Sequence, residues 1–368
     1  MIHRRTALVA AGVSALAALA LALPNKALAL DLSGKTVTWI VPFKEGGGSD
    51  TLARLLQPYL QKALPGNPSI VILNQPGGGS IKSANNFHRT GKTDGTEIFI
   101  ASSSTFLPFT LQSKKVKYDP NAWQALVGLP RGTVFYADPA KVSVKGKGAD
   151  IKADVAALRS ASLVLGAKAP TSIELIDLAA MELIGAKVKP VFGLSTSKQR
   201  KAFLRGEVNI NHDGTGPYLT KIGKVVAEGK ATPLFSYGYQ AADGTLKRDP
   251  DVADLPRFDE VLEAATGKKP SGPGFDAYVA LMNNKVSLSK VIALAKGTPD
   301  DIVQAYIKAF KDVTTNPEVV KKLKKSVGSL PLSYGADTAK LVAAGTKMSP
   351  EARAWLTKMM KANYGASL

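Results

Sequence analysis

The sequence predicts an α/β fold of two lobes, each a βα sheet with flanking helices. Two observations carry that expectation. The first third of the chain repeats an apolar strand, a Gly- or Ser-rich loop and a helix three times. The same order returns between Ser162 and Tyr237, after a stretch, Asp119 to Asp138, that reads as a crossing between two units. Strands that alternate with helices pair in parallel through right-handed crossovers. Ligands of such sheets sit beyond the carboxyl ends of the strands.

Thr36 to Phe43, TVTWIVPF, is β-branched and apolar and reads as a buried strand. Gly46-Gly47-Gly48 follows, and Ser49 is placed to cap a helix. Leu52, Leu55, Leu56, Tyr59 and Leu60 form one apolar face of that helix, which Pro65 and Gly66 end. A second strand, Ser69 to Pro76, leads into Gly77-Gly78-Gly79-Ser80 and another helix. Asp94-Gly95 turns the chain into a third strand, TEIFIAS, which ends in Ser102-Ser103-Ser104-Thr105. All three loops are thereby expected on one edge of the sheet. Glycine runs cost backbone entropy, so a sharp turn or a close approach to the backbone is needed to explain them. Bare N–H groups at a helix start also attract an anion.

Downstream, Ser162 to Gly166, Val188 to Phe192, Val208 to Asn211 and Ala231 to Tyr237 read as strands. Ala167 to Ser172, Ser195-Thr196-Ser197 and His212 to Gly216 are the loops after the first three. The last third is helical. Thr298 with Pro299, and Ser349 with Pro350, are the start signals of two helices expected to pack on the first lobe.

The amino end has three parts: basic residues through Arg5, an apolar run from Ala7 to Leu23, and the small-residue pattern Ala27-Leu28-Ala29. That is a secretory leader with cleavage expected after Ala29. The Arg4-Arg5 pair does not by itself decide the export route. The chain carries no Cys, which excludes disulfides, thiolate metal sites and a lipid anchor through cysteine. The formal charge is +19, and about +16 remains after Ala29 by the same counting. Such a surface attracts anions. The lysines are scattered and not interleaved with aromatics, which argues against nucleic acid.

Catalytic chemistry finds little footing. Gly46-Gly47-Gly48-Ser49 lacks the Lys of a phosphate loop and the spacing of a dinucleotide fingerprint. Ser49 is not in a G-x-S-x-G elbow. After the leader only His88 and His212 remain, and His212 and Asp213 would point to opposite faces of a strand. No metal spacing occurs, and no cofactor is expected. Asp50 suits the helix start and would repel an anion unless offset from it, or would bind an amino group. Lys168, in the first loop of the second lobe, either pairs with a carboxylate or is solvated.

Taken together, WIVPFKEGGGSDTLARLLQPYLQKAL, NQPGGGSIKSANNF and KTDGTEIFIASSS resemble the first motifs of the extracytoplasmic solute receptors of tripartite tricarboxylate transporters, the Bug or TctC family. GAKAPTSIELIDLAAMEL, FLRGEVNINHDGTGPYL and GTPDDIVQAYIKAFKDVTTNPEVVKKL resemble its later motifs, in the same order. The resemblance implies a periplasmic two-lobe "Venus flytrap" binding protein without enzymatic activity. It implies a monomer that holds a small carboxylate between its lobes and delivers it to a two-component membrane permease. The implied division is a signal peptide over 1–29, the first lobe over 30–132, the second over 133–260, and a return to the first over 261–368. First-lobe contacts carried over from the resemblance are Phe43, Gly46, Gly47, Gly48, Ser49, Gly78, Gly79, Ser80, and Ser103 or Ser104. Second-lobe contacts are Ala169, Thr171, Ser172, Asp213 and Thr215, with Gly214 between the last two. Asp50 and Lys168 join them as candidates.

Lys44-Glu45, the irregular segment Gly244 to Ser287 and GLSTSKQRKAF after Phe192 depart from the family pattern and leave the ligand open. An oxyanion receptor of an ABC importer, a secreted hydrolase on the same sheet edge, and a signalling receptor with no permease are the rival readings. A hydrolase would need a histidine near Ser49 or Ser80.

Overall fold

The computed structural model describes residues 30–241 and 243–367. The expected leader, 1–29, lies outside them. In the first sheet, strand β1 (Thr36–Val41) pairs in parallel with β2 (Ser69–Asn74) on one side and β3 (Glu97–Ser102) on the other. The three Gly- and Ser-rich loops therefore lie on one edge, as the alternation of strands and helices requires. Trp39 and Val41 of β1 are fully buried, and so are Leu52, Leu56 and Leu60 of helix α1 (Gly48–Ala63). An apolar strand followed by one apolar helical stripe can bury both surfaces only by packing them together.

The chain then enters β4 (Gln124–Leu129) and crosses at Pro130–Gly132 into β5 (Thr133–Ala137). The second sheet runs β7-β6-β8-β5-β9, with β6 (Leu163–Gly166), β7 (Val188–Val191), β8 (Ile210–Gly214) and β9 (Thr232–Ser236). β6 is parallel to β7 and β8, while β5 is antiparallel to β8 and β9. The carboxyl ends of β6, β7 and β8 thus share an edge.

Residues 258–286 stay with the second lobe, past the boundary expected at 260. Phe258, Leu262, Tyr278 and Leu281 share a core with Leu163, Leu165 and Ile210. The return follows helix Pro273–Val286, when β10 (Lys290–Leu294) inserts antiparallel between β3 and β4. The C-terminal helices divide. Val303, Phe310, Val319 and Leu323 of helices Asp300–Thr315 and Pro317–Val327 join the first-lobe core, as expected. Leu356, Met359 and Met360 of helix Pro350–Tyr364 join the second-lobe core instead, with Ile176 and Leu281.

Two helix starts differ from expectation. Gly47, not Ser49, is the cap residue of α1, and no side chain caps it; Ser49 is buried in the first turn. The Thr298 hydroxyl donates to the Ala295 carbonyl, and the helix begins after Pro299. Ser349 caps its helix as expected, accepting from the Ala352 N–H at 3.1 Å.

Candidate functional site

Asp50 is buried in the first turn of α1 and is occupied by its own lobe. Its carboxylate accepts from the Gly46 N–H at 2.8 Å, Arg54 Nε at 3.0 Å and Asn74 Nδ2 at 3.0 Å. Burial opposes ionisation, but Arg54, Gly46 and Asn74 hold its carboxyl below the ordinary value. The Asp50 side chain shapes the glycine loop and leaves no free oxygen aimed at a ligand amine. Gly46 takes φ 71°, and a Cβ added at Gly48 would meet nothing within 4 Å. This stretch turns tightly and stays open beside the helix start.

The second loop is more constrained. Gly78 and Gly79 have positive φ, and Ser80 follows at φ 94°. A non-glycine residue there is strained and persists only when its surroundings hold it. Ser80 is fully buried, and its Oγ donates to Thr105 Oγ1 at 3.0 Å. Ser102 caps the third helix, Ser103–Thr110, accepting from the Ser104 N–H. Ser103 Oγ donates to the Lys285 carbonyl at 3.2 Å, which ties this loop to the return crossing. Ser104 and Phe43 are half-buried on the same edge.

In the second lobe, Lys168 lies 3.8 Å from the buried Glu174. Ser172 Oγ donates to Glu174, and Gln199 Nε2 donates to it at 2.8 Å. Burial opposes ionisation of Glu174; Lys168, with the Ser172 and Gln199 hydrogen bonds, carries its pKa down to about 2. Ser172 Oγ also accepts the Ala169 N–H, and Thr171 is exposed at the tip. Asp213 is buried and held by Arg200 through two hydrogen bonds and by the Tyr136 hydroxyl at 2.9 Å. It does not reach out as a free acceptor. Thr215 Oγ1 donates to Asp249, and the Thr215 N–H donates to the Gly132 carbonyl.

His212 and Asp213 do point to opposite faces. His212 Nδ1 lies 2.7 Å from Asp177 Oδ2, and its Nε2 lies 2.8 Å from Lys285 Nζ. Lys285 is the donor, so Nε2 accepts and the ring proton sits on Nδ1, facing Asp177. The Tyr237 hydroxyl completes the chain by donating to Asp177. Burial pushes the Lys285 ammonium down to about 8, opposed by Asp177 and Glu174 and aided by Arg131 and Lys168.

Two more cations stand between the sheets. Lys290, the first residue of β10, is in register with Ser102 and Leu129, at the carboxyl ends of β3 and β4. Arg131 sits in the first crossing, and its N–H donates to the Val286 carbonyl at 3.0 Å. A Cβ on Gly214 would come within 2.5 Å of Arg131 Nε, so the guanidinium lies against the end of β8. The carboxyl edges of both sheets therefore face one cleft, floored by the two crossings.

Sequence reasoning located the loops but missed Arg131, Glu174, Asp177, Arg200, Lys285 and Lys290. Glu174 and Asp177 interrupt the otherwise apolar run IELIDLAAM, and such a charge needs a buried partner. That was the available signal. Among the described residues no group of three or more His, Asp or Glu is placed to hold a metal. Neither histidine hydrogen-bonds Ser49 or Ser80; His88 Nδ1 accepts from Trp123 Nε1 instead.

No protein-family model matches the chain, and no curated protein matches it. Solved structures do. A TctC solute-binding protein from Polaromonas aligns with TM-score 0.62 and 17% identity, over 89% of this chain and 99% of that one. Rpa4515 of R. palustris, solved with adipate, aligns with TM-score 0.61 and 19% identity, over 92% and 99%. MatC of Rhodopseudomonas palustris, solved with bound malate, aligns with TM-score 0.57 and 20% identity, over 88% and 98%. The chain has the two-lobe fold of TctC-type periplasmic solute-binding proteins.

Proposed function

We propose that the protein is a periplasmic receptor that captures a small carboxylate between its lobes and delivers it to a tripartite tricarboxylate-type permease. The observation that carries this reading is the convergence of Gly- and Ser-rich loops and several cations at the facing carboxyl edges of two sheets. Backbone N–H groups at helix starts, hydroxyls and ammonium groups recognise a carboxylate and leave nothing to transform it. Neighbours of the same fold that were solved with malate and adipate support the ligand class. Closure of the lobes would be driven by contacts each makes to the ligand, which are lost when the lobes part.

An oxyanion receptor of an ABC importer is the second reading, favoured by Arg131 in the cleft. A thermal-shift screen of mono-, di- and tricarboxylates, amino acids and inorganic phosphate separates the two. A ligand at a hundred times its Kd adds about 2.7 kcal/mol of stability. A saturable rise in melting temperature with one carboxylate class is expected. A rise with phosphate alone would replace the carboxylate reading by the oxyanion one.

A further inference from the structure

Three buried carboxylates near the cleft each have a cation, while a fourth, Asp249, is held by the Thr215 hydroxyl and the Asp251 N–H. Glu174 has Lys168, Asp213 has Arg200 on two hydrogen bonds, and Asp177 reaches Lys285 through His212. Arg131 and Lys290 are left over. Among the described residues the Arg131 guanidinium has no hydrogen-bond acceptor and no ion pair. Lys290 Nζ donates only to the adjacent Ser289 carbonyl, at 2.9 Å. Asp213 is the acid that Arg131 feels, but its oxygens are engaged by Arg200 and Tyr136. Burial, aided by Arg131 and Lys168, pushes the Lys290 ammonium well below the ordinary range. Uncompensated like charges at a half-buried site are costly until an anion joins them.

We propose that Arg131 and Lys290 form a two-cation anchor on the floor of the cleft that selects ligands carrying two negative charges. The proposal rests on the receptor reading and specifies the charge of its ligand. Arg131 comes from the first crossing and lies against the end of β8, while Lys290 opens the returning strand at the ends of β3 and β4. A dianion between them touches both lobes and both crossings at once.

The test is calorimetric titration of the purified protein with butyrate, succinate, adipate and inorganic phosphate. Succinate or adipate should bind at least tenfold more tightly than butyrate, with an affinity that falls more steeply with added salt. Lys290→Gln and Arg131→Gln should each lower dicarboxylate affinity at least tenfold, a larger factor than either costs butyrate, and Lys290→Arg should retain most of the dicarboxylate affinity. Equal melting temperatures without ligand establish that the variants fold; if they do not fold, the salt series on the unmodified protein decides. The anchor is overturned if the unmodified protein binds butyrate as tightly as succinate, or if folded variants bind succinate normally. The receptor reading alone fails if no carboxylate binds but phosphate does. Loss of phosphate binding in Lys290→Gln then upholds the anchor, and its retention removes it. Binding of nothing in the series overturns both.

Discussion

Replacing His212 by alanine tests the buried relay between the lobes. The ring is 5% exposed and bridges two charges, with Lys285 Nζ 2.8 Å from one nitrogen and Asp177 Oδ2 2.7 Å from the other. Removing it takes from Lys285 its one hydrogen-bond acceptor among the described residues. Asp177 keeps only the Tyr237 hydroxyl. Leaving both buried charges without their shared hydrogen-bond partner costs about 3–5 kcal/mol. For a folding unit the size of one lobe, each kcal/mol lowers the melting temperature by about 2–4 °C. The His212→Ala melting temperature should therefore fall by roughly 10 °C at pH 7. His212→Gln, whose amide can accept from Lys285 and donate to Asp177, should recover part of the loss.

The pH dependence has a definite sign. Lys285 titrates near 8 in the folded chain and near its ordinary value of 10.5 when unfolded, so the unfolded chain binds more protons between those values. Stability from this group rises as pH climbs through that window. Without His212 the charged amine is worse accommodated, so the penalty should be largest below pH 8 and shrink above it. Denaturant titrations at pH 7 and 9.5 measure both effects. A loss under about 1 kcal/mol at pH 7, or a penalty equal at both pH values, would refute the reasoning.

Glu174 should act at the acid end. Its depressed pKa stabilises the fold fully above the ordinary 4.5, a contribution lost as pH falls to about 2 and worth on the order of 3 kcal/mol. Glu174→Gln should lower stability at pH 7 and flatten the acid limb of a denaturation-versus-pH curve. Gly132→Ala should destabilise by about 2 kcal/mol or more in urea, because its Cβ would lie 1.7 Å from Asp249 Oδ2. Binding of succinate at pH 8.5 should take up protons, since an anion raises Lys290 and Lys285 against the burial, Arg131 and Lys168 that depress them. Binding heats in two buffers of different ionisation enthalpy should differ accordingly, and equal heats would count against a charged anchor.

The frame was legible because its signals are local. TVTWIVPF, SIVILN and EIFIAS each carry a strand's composition, and the glycine or serine after each strand marks its carboxyl end. Parallel pairing then follows from alternation alone. The floor of the cleft was not legible, since it is built from pairs far apart in the chain. Lys285 meets His212 across 73 residues, and Ser103 meets the Lys285 carbonyl across 182. Asp213 was expected to face a ligand, yet Arg200 and Tyr136 enclose it. A strand residue's face follows from periodicity, but what waits on that face does not. The final helix carries start signals as clear as its neighbours, yet Leu356 and Met360 pack into the second-lobe core through contacts with residues far away in the chain, such as Ile176.

The most direct measurement uses the absence of cysteine. A single thiol at Ser104→Cys, in the first-lobe serine loop, or at Thr171→Cys, in the first loop of the second lobe, is then the one site for a maleimide. Ser160→Cys, exposed at the end of helix Ile151–Ser160, serves as the control. If a carboxylate is held between the lobes, a saturating amount should slow labelling at both cleft positions and leave the control unchanged. Unchanged rates at both cleft thiols, under conditions where the same carboxylate raises the melting temperature, would place the ligand elsewhere and contradict the receptor reading.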